Sequence, residues 1–289
     1  MAIKKLTIEE FLALAKEFPV LDVRSPGEYN HAHIPGAYSL PLFTDEEKKV
    51  VGTTYKQQSR EAAIKIGLDY FGVKMKKMVE ETESITANHK LQTSNLKHET
   101  SNTVLVHCWR GGMRSAGVAW LLDLYGFKVY TLVGGYKAYR KWALAQFEQE
   151  YNFQIIGGFT GSGKTEVLQA LPGAGHTIIN LEALASHKGS AFGAIEGKPQ
   201  PKQEMFENLL AHALAGTGYR IQDQESDIPH PASCIWIEDE SQRIGNLQIP
   251  MPLWHTMRRA PVFFLDIPFE ERLAYITEEY GKLPAERLE

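Results

Sequence analysis

Two glycine-containing loops in this chain combine residue types that bind anions. The first reads HCWRGGMRS from His107 to Ser115, and the second reads GFTGSGKT from Gly158 to Thr165. In the first loop, Cys108 offers a thiolate nucleophile at a predicted helix start, where backbone N–H groups attract negative charge. The second is a complete GxxxxGK[ST] phosphate-binding loop, or P loop. The sequence therefore predicts two anion sites.

Spacing and composition place the two loops in separate α/β domains. The chain has 289 residues, of which 43% are hydrophobic and 23% charged, as expected for a globular protein with two domains. A buried strand is predicted directly before each loop, at Thr103–His107 and Phe153–Gly157, and a helix directly after it. We therefore predict an α/β fold with domains over 1–150 and 151–289, the second a P-loop NTPase-like parallel α/β domain.

Residues 74–102 differ in composition from the rest of the first domain. They are rich in Lys, Glu, Thr, Ser, Asn and His, with scattered apolar residues. This composition predicts a mobile helix or insertion without a direct role in function.

Cysteine content, charge and hydropathy exclude several classes of protein. Two cysteines, Cys108 and Cys234, are too few for a disulfide framework or a cysteine zinc site, so Cys108 is predicted to be a free thiol. The formal net charge of −4 gives no overall attraction to nucleic acid, so a polyanionic partner would need local basic patches. No signal-like leader and no apolar run of membrane-spanning length is present. We expect a cytoplasmic protein with no membrane partner.

The P loop predicts how a diphosphate would be held. Backbone N–H groups and Lys164 would neutralise the diphosphate, and Thr165 is placed to bind Mg²⁺. No guanine-reading NKxD-like segment follows, so a diphosphate on a non-nucleotide carrier fits as well as ATP or GTP. Glu238, Asp239 and Glu240 close a predicted strand. They could supply a carboxylate that orients the metal, with Asp239 and Glu240 as the candidates, or else form a solvated strand end. The predicted phosphate-binding residues are Gly158, Gly161, Ser162, Gly163, Lys164 and Thr165.

The first domain resembles the rhodanese family in the order and spacing of four segments. These segments are LDVRSPGEY at 21–29, HIPGA at 33–37, the cysteine loop, and GGY at 134–136. The resemblance implies an N-terminal rhodanese-like domain in which Cys108 carries sulfur or a related chalcogen. We interpret Asp22 and Arg24, together with Glu28, as a buried ion-pair system that supports the loop.

The cysteine loop is also compatible with a phosphatase. Five residues separate Cys108 from Arg114, where rhodaneses commonly have four, and HCx5R is the signature of cysteine phosphatases. Arg110 and Arg114 would bind phosphate oxygens, and the loop would be supported by Gly111, Gly112 and Ser115. Against a phosphatase, the flanking residues are rhodanese-like, and no aspartate is an obvious acid for the leaving group. The same wide loop suits selenophosphate.

Both domains together resemble the tRNA 2-selenouridine synthase family. The matching segments are GTTYKQQ at 52–58, CWRGGMRS at 108–115, GGYKA at 134–138, LEALASHKGSAFG at 181–193 and IEDESQRIG at 237–245. The resemblance implies that wobble 2-thiouridine in tRNAs for lysine, glutamate and glutamine becomes 2-selenouridine through an S-geranylated intermediate. It implies geranyl diphosphate and selenophosphate as substrates, with Mg²⁺ at the P loop and a selenophosphate-producing enzyme as a partner.

The same resemblance assigns one step to each loop. The P loop would stabilise the departing diphosphate, and Cys108 would act as carrier or nucleophile while Arg110 and Arg114 bind the phosphate of selenophosphate. Cationic side chains near the loops would contact tRNA phosphates, and an aromatic ring would stack on an everted uridine. The candidate tRNA contacts are Trp109, Lys137, Arg140, His187 and Lys188.

Two other functions stay open at the level of sequence. One is a rhodanese-fold cysteine phosphatase or sulfurtransferase coupled to an ATP- or GTP-binding P-loop domain, and the other is a small-molecule kinase with a rhodanese sensor. Hydrolysis of an aryl phosphate or consumption of ATP would reveal them. Because family members continue with more helical sequence after the position of Glu289, we also expect a shortened C-terminus.

Overall fold

Each of two units, Met1–Trp142 and Ala143–Glu289, is built around its own parallel β-sheet. In both units the strands alternate with helices, which confirms the predicted α/β fold class. The computed structural model describes residues 3–92, 102–187, 199–218 and 234–281.

The first unit contains a five-stranded sheet in the order β1-β5-β4-β2-β3, in which all neighbouring strands are parallel. Its strands are β1 (Lys4–Leu6), β2 (Val20–Asp22), β3 (Tyr38–Ser39), β4 (Thr103–His107) and β5 (Lys128–Leu132). Its helices are α1 (Ile8–Leu14), α2 (Pro26–His31), α3 (Asp45–Gln57), α4 (Arg60–Gly72), α5 (Met75–Gln92) and α6 (Met113–Tyr125), followed by α7 (Gly135–Gln146).

Strand β4 is the central strand of this sheet, and its residues suit a fully buried position. All five of its side chains are buried, as expected for a parallel strand with helices on both faces. Helix α6, which follows the cysteine loop, ends at Gly126, whose φ of 113° lies in the left-handed region typical of a helix C-terminus. The cysteine loop is thus fixed at both ends by regular structure.

Helix α5 occupies most of the segment over 74–102, where the composition predicts a mobile helix or insertion. Met78, Val79, Thr82 and Thr86 are buried along one face of this helix, and Met78 and Val79 belong to the hydrophobic core. The hydroxyls of Thr82 and Thr86 each donate 2.7 Å hydrogen bonds to the carbonyl four residues earlier. Two of the four buried positions are therefore polar residues satisfied within the helix, which weakens the apolar pattern in the sequence. Residues 93–101 lie outside the described part of the chain.

The second unit contains a four-stranded parallel sheet in the order β11-β6-β8-β7, and a small antiparallel hairpin of β9 and β10. Its strands are β6 (Phe153–Gly158), β7 (Thr177–Ile179), β8 (Ile235–Glu238), β9 (Arg243–Ile244), β10 (Leu247–Gln248) and β11 (Val262–Leu265). Its helices are α8 (Lys164–Ala170), α9 (Leu181–Ala185), α10 (Gln203–Gly216), α11 (Met251–Arg259) and α12 (Phe269–Gly281), with a 3₁₀ turn at Leu171–Ala174.

The order of these strands determines where ligands can bind. Strands β6, β7 and β8 are parallel, so their carboxyl ends meet at one edge of the sheet, where open α/β folds bind ligands. The P loop leaves this edge from β6 and leads into α8. Among the helices in the described ranges, none has the length and apolarity needed to cross a membrane.

The packing of α5 is tested by removing its largest core side chain. Met78→Ala should lower the free energy of unfolding by roughly 2–5 kcal/mol, because it leaves a cavity in the core of the first unit. Lys77→Ala on the exposed face of the same helix should change it by less than about 0.5 kcal/mol. Urea denaturation of both variants measures the difference, and equal stabilities would mean that α5 does not pack on this core.

Candidate active-site loops

Cys108 lies between the end of β4 and the start of α6, and its environment favours the thiolate. Its Sγ atom is buried and lies 3.2 Å from the hydroxyl oxygen of Ser115. Burial alone would raise the pKa of this thiol. The Ser115 hydroxyl and the backbone N–H groups of Ser115, Gly112 and Arg110 outweigh that effect, so the pKa of Cys108 falls below its ordinary value. The loop can therefore hold a nucleophilic sulfur anion.

The GGYK segment supports the cysteine loop from beneath. The backbone N–H of Tyr136 donates a 2.8 Å hydrogen bond to the carbonyl of Cys108, and that of Lys137 donates a 3.0 Å bond to the carbonyl of Trp109. Gly135 has a φ of 59°, and a Cβ atom there would lie 2.3 Å from the Cys108 carbonyl oxygen. Only glycine permits this close approach, which explains the glycine in the sequence motif.

A buried ion pair lies next to the same segment. Arg24 Nη2 is 2.6 Å from Asp22 Oδ2, and the guanidinium stacks 3.8 Å from the centre of the Tyr136 ring. Burial opposes ionisation of Asp22, but His107 and Arg24 lower its pKa overall, while burial lowers the pKa of His107. Both members of the ion pair are almost inaccessible to solvent, and removing either one would leave a buried charge unpaired.

Arg114 is held by Glu28 of helix α2. Its Nη1 atom donates a 2.8 Å hydrogen bond to Glu28 Oε2, and Nη2 lies 3.4 Å from Oε1. The same carboxylate accepts hydrogen bonds from the backbone N–H and hydroxyl of Ser25, and Lys48 Nζ lies 3.3 Å away. Although burial opposes ionisation, Arg114 and these other groups lower the pKa of Glu28 to about 2. The guanidinium predicted to bind phosphate is thus oriented by a carboxylate that is charged at neutral pH.

The other candidate residues of the cysteine loop and the predicted tRNA contacts are distributed over both units. Arg110, Gly111 and Gly112 are exposed, as is Trp109, whose ring lies 5.6 Å from that of Tyr136. On α7, Lys137 is exposed and Arg140 is partly buried. His187 in the second unit is partly buried, and Lys188 lies outside the described residues.

The P loop of the second unit surrounds a cavity of about 470 Å³. Gly158, Gly161 and Gly163 all have positive φ, which turns the backbone around the cavity. Lys164 Nζ lies 3.0 Å from the Gly158 carbonyl oxygen and 3.4 Å from that of Phe159. Ser162 is buried, and Thr165 lines the cavity. The loop thus lines the cavity with backbone and with a lysine side chain, as its sequence motif predicts.

Three glutamates converge beside Thr165. Oxygen atoms of Glu182, Glu238 and Glu240 lie within 4.8 Å of one another, and the Thr165 hydroxyl is 3.3 Å from Glu238 and 3.5 Å from Glu182. The pKa values of Glu238 and Glu240 are raised to about 7, mainly because both groups are buried and secondly because Glu182 repels their negative charge. Glu238 Oε1 is buried and has no hydrogen-bond partner among the described residues. These hard oxygen ligands fit a divalent cation such as Mg²⁺.

The structure places the two predicted metal-orienting residues, Asp239 and Glu240, in different surroundings beside the same cavity. Asp239 does not belong to the carboxylate cluster, because it forms a 2.5 Å ion pair with Arg258. Residues two apart at a strand end point to the same side, so Glu238 and Glu240 converge, while Asp239 lines the same cavity and is paired with Arg258. Glu182 was missed because it follows a different strand, β7, and only the parallel order of β7 and β8 brings the two strand ends together.

Comparison with known proteins assigns both units to one family. The family described as tRNA 2-selenouridine synthase AAA domain matches residues 151–288, and the rhodanese-like domain matches residues 7–141. The tRNA 2-selenouridine synthase of Nitrosomonas europaea is 35% identical over 278 residues, which cover 94% of this chain and 66% of the relative. That of Cupriavidus pinatubonensis is 35% identical over 94% of this chain and 68% of the relative. That of Bdellovibrio bacteriovorus is 34% identical over 97% of this chain and 69% of the relative.

The chain belongs to the tRNA 2-selenouridine synthase family. It spans about two thirds of the length of these relatives. Its rhodanese-like unit contains the cysteine loop, and its second unit contains the P loop and the glutamate cluster. Family membership therefore confirms the resemblance stated from sequence, including the rhodanese-like first domain.

The effect of Ser115 on the thiol can be measured by alkylation. In a Cys234→Ala background, Ser115→Ala should move the midpoint of Cys108 alkylation by iodoacetamide upward by about one pH unit, because the thiolate loses a hydrogen bond. Ser84→Ala removes an exposed hydroxyl of α5 and should leave the midpoint unchanged. A midpoint unaffected by Ser115→Ala would show that the hydroxyl does not stabilise the thiolate.

The glutamate cluster predicts a metal affinity that depends on pH. With inorganic pyrophosphate present, Glu238→Gln should weaken Mg²⁺ binding by at least about tenfold, whereas Asp239→Asn should not change it. Wild-type affinity should fall between pH 8 and pH 6, since Glu238 and Glu240 have pKa values near 7 and protons then compete with the cation. Isothermal titration calorimetry measures both effects. Equal losses in the two variants would argue against a specific cluster.

Proposed function

We propose that this chain takes part in converting wobble 2-thiouridine in tRNA into 2-selenouridine through an S-geranylated intermediate. The observation that carries the proposal is the presence, in a chain of this family, of an activated cysteine loop and a P loop with an adjacent carboxylate cluster. Geranyl diphosphate, selenophosphate and tRNAs for lysine, glutamate and glutamine are the proposed substrates. A selenophosphate-producing enzyme is the proposed supplier of selenium.

The P loop is suited to the geranylation step. The thiouridine sulfur would attack C1 of geranyl diphosphate, forming a C–S bond while the C–O bond breaks and diphosphate leaves with the electron pair. Backbone N–H groups of the loop and the Lys164 amine would stabilise the negative charge that develops on the leaving group. Glu182, Glu238, Glu240 and Thr165 would hold a Mg²⁺ ion, which would supply further charge neutralisation.

The cysteine loop is suited to the selenation step. Selenium from selenophosphate would replace the geranylthio group: the C2–Se bond forms while the C2–S bond breaks and geranylthiolate leaves, and the P–Se bond is cleaved by transfer of the phosphoryl group to water, which releases phosphate. Cys108 would act as selenium carrier or nucleophile, and Arg110 and Arg114 would bind the phosphate oxygens. The Glu28–Lys48 contact of 3.3 Å supports this role for Arg114, because Lys48 can still balance the Glu28 charge when the guanidinium engages phosphate.

The tRNA would reach the cysteine loop over exposed residues of the first unit. Trp109 has a partly exposed ring next to Cys108, which suits stacking on an everted uridine. Lys137 and Arg140 follow on α7 and would contact tRNA phosphates. His187 in the second unit and Lys188, which lies outside the described residues, are further proposed contacts.

Nucleoside mass spectrometry of 2-thiouridine-containing tRNA tests the proposed division of labour. With geranyl diphosphate, selenophosphate and Mg²⁺, wild-type protein should yield S-geranyl-2-thiouridine and 2-selenouridine. Lys164→Ala should abolish the geranylated nucleoside, whereas Cys108→Ala should retain it and lose the selenated one, because each variant removes the charge or nucleophile of one step.

Two control variants accompany this experiment. Cys234→Ala removes the other buried cysteine, and Lys202→Ala removes an exposed lysine near the start of α10, so both should retain both products. Absence of any modified nucleoside with folded wild-type protein that binds tRNA would contradict the proposal. Hydrolysis of p-nitrophenyl phosphate that depends on Cys108 would instead indicate a phosphatase.

A further inference from the structure

Large apolar side chains are exposed beside the P loop. Phe159, Val262, Phe264 and Phe269, which we call the aromatic surface, are each between 51% and 60% exposed. The rings of Phe159 and Phe264 meet edge to face with their centres 5.3 Å apart, and the guanidinium of Arg272 lies over both Phe159 and Phe269, at 4.8 and 5.6 Å. Contiguous apolar exposure of this kind typically marks a binding surface.

The aromatic surface begins at a residue of the P loop. Phe159 is itself a residue of the P loop, and its carbonyl oxygen lies 3.4 Å from the Lys164 amine. Arg272 also donates a hydrogen bond to the carbonyl of Thr160, the next residue of the loop, over 3.3 Å. A cation and the P loop thus stand at one end of an apolar surface, an arrangement that suits an anion with a hydrocarbon tail.

The backbone of the neighbouring strand helps to form this surface. Val262 and Phe264 are two residues apart on β11 and project from the same face of the sheet. They lie over Gly157 of β6, where a Cβ atom would be only 2.9 Å from Val262 Cγ1 and 3.3 Å from Phe264 Cδ2. Because Gly157 has no side chain, Val262 and Phe264 extend the apolar area from the P loop along β11, and the Asp239 carboxylate, which is paired with Arg258, borders this area 3.9 Å from the same Cβ position.

We propose that the aromatic surface binds the hydrocarbon chain of geranyl diphosphate while the P loop binds its diphosphate. This proposal rests on the proposed function, which supplies the ligand. With the diphosphate on the loop N–H groups, the chain passes Phe159 and continues over Phe264 toward Val262. Binding removes the hydrocarbon and the exposed rings from water together, which favours association. The P loop and the aromatic surface would thus form a polar and an apolar subsite for the same ligand.

Adjacent phenylalanines of β11 provide a matched pair of variants. Phe264 belongs to the aromatic surface, whereas the Phe263 ring lies 5.0 Å from that of Trp236, and the two rings are exposed to nearly the same extent. Calorimetry with Mg²⁺ compares geranyl diphosphate with inorganic pyrophosphate for wild type, Phe264→Ala and Phe263→Ala. Wild type should bind geranyl diphosphate at least about tenfold more tightly, and Phe264→Ala should weaken that ligand alone by about tenfold. Phe263→Ala should retain both wild-type affinities.

The outcomes separate this subsite from the proposed function. Geranyl diphosphate affinity that is unchanged in Phe264→Ala, or equally reduced in Phe263→Ala, would overturn the subsite while geranylation of tRNA by wild type would still support the function. Wild type that binds neither ligand and geranylates no tRNA would overturn both. If Phe264→Ala changes only the oligomeric state measured by sedimentation velocity, the surface belongs to a second copy of the chain, and the subsite is overturned.

Discussion

Both candidate sites depend on backbone N–H groups that lie where a buried parallel strand ends and the following helix begins. A strand that is hydrogen-bonded on both sides delivers the chain to one edge of its sheet, and the following helix leaves its first N–H groups without internal partners. Strand β4 delivers Cys108 in this way, and β6 delivers the P loop. Glycines with positive φ, such as Gly111 and Gly161, then turn the backbone around the anion position.

The two sites handle carboxylates in opposite ways. Near the cysteine loop, Asp22 and Glu28 are paired with Arg24 and Arg114, so their pKa values are lowered and their charges are fixed. Near the P loop, Glu238 and Glu240 are buried close to Glu182, and their pKa values are raised. The ion pairs near the cysteine loop hold the guanidinium of Arg114 in position. The closely spaced carboxylates near the P loop repel one another, so a bound cation would stabilise them. Each arrangement suits the step proposed for its loop.

The aromatic surface adds the remaining property that a prenyl diphosphate requires. A P loop alone distinguishes ligands only by their phosphates, because its backbone N–H groups contact nothing else. Phe159 and Phe264 place apolar area at the rim of the same loop, and Arg272 lies between the rings and the loop backbone. Selection of a hydrocarbon carrier over a nucleotide would then follow from burial of apolar surface rather than from hydrogen bonding.

Local sequence alone determined the α/β fold class, both loops, and the strand before and the helix after each loop. Such features depend on residues close together in the chain: Gly126 ends α6, the centre of Thr103–His107 is an apolar Val-Leu-Val run, and the GxxxxGK[ST] pattern encodes a loop without distant partners. Only the tertiary structure decided which distant groups meet. Glu182 joins Glu238 because β7 and β8 are neighbours, Asp239 pairs with Arg258, and Arg114 pairs with Glu28. Helix α5 packs on the core through Met78 and Val79, and its threonines on the same face are buried although they look polar in sequence. Strand order and helix packing bring together residues far apart in the chain, and no local pattern records those contacts.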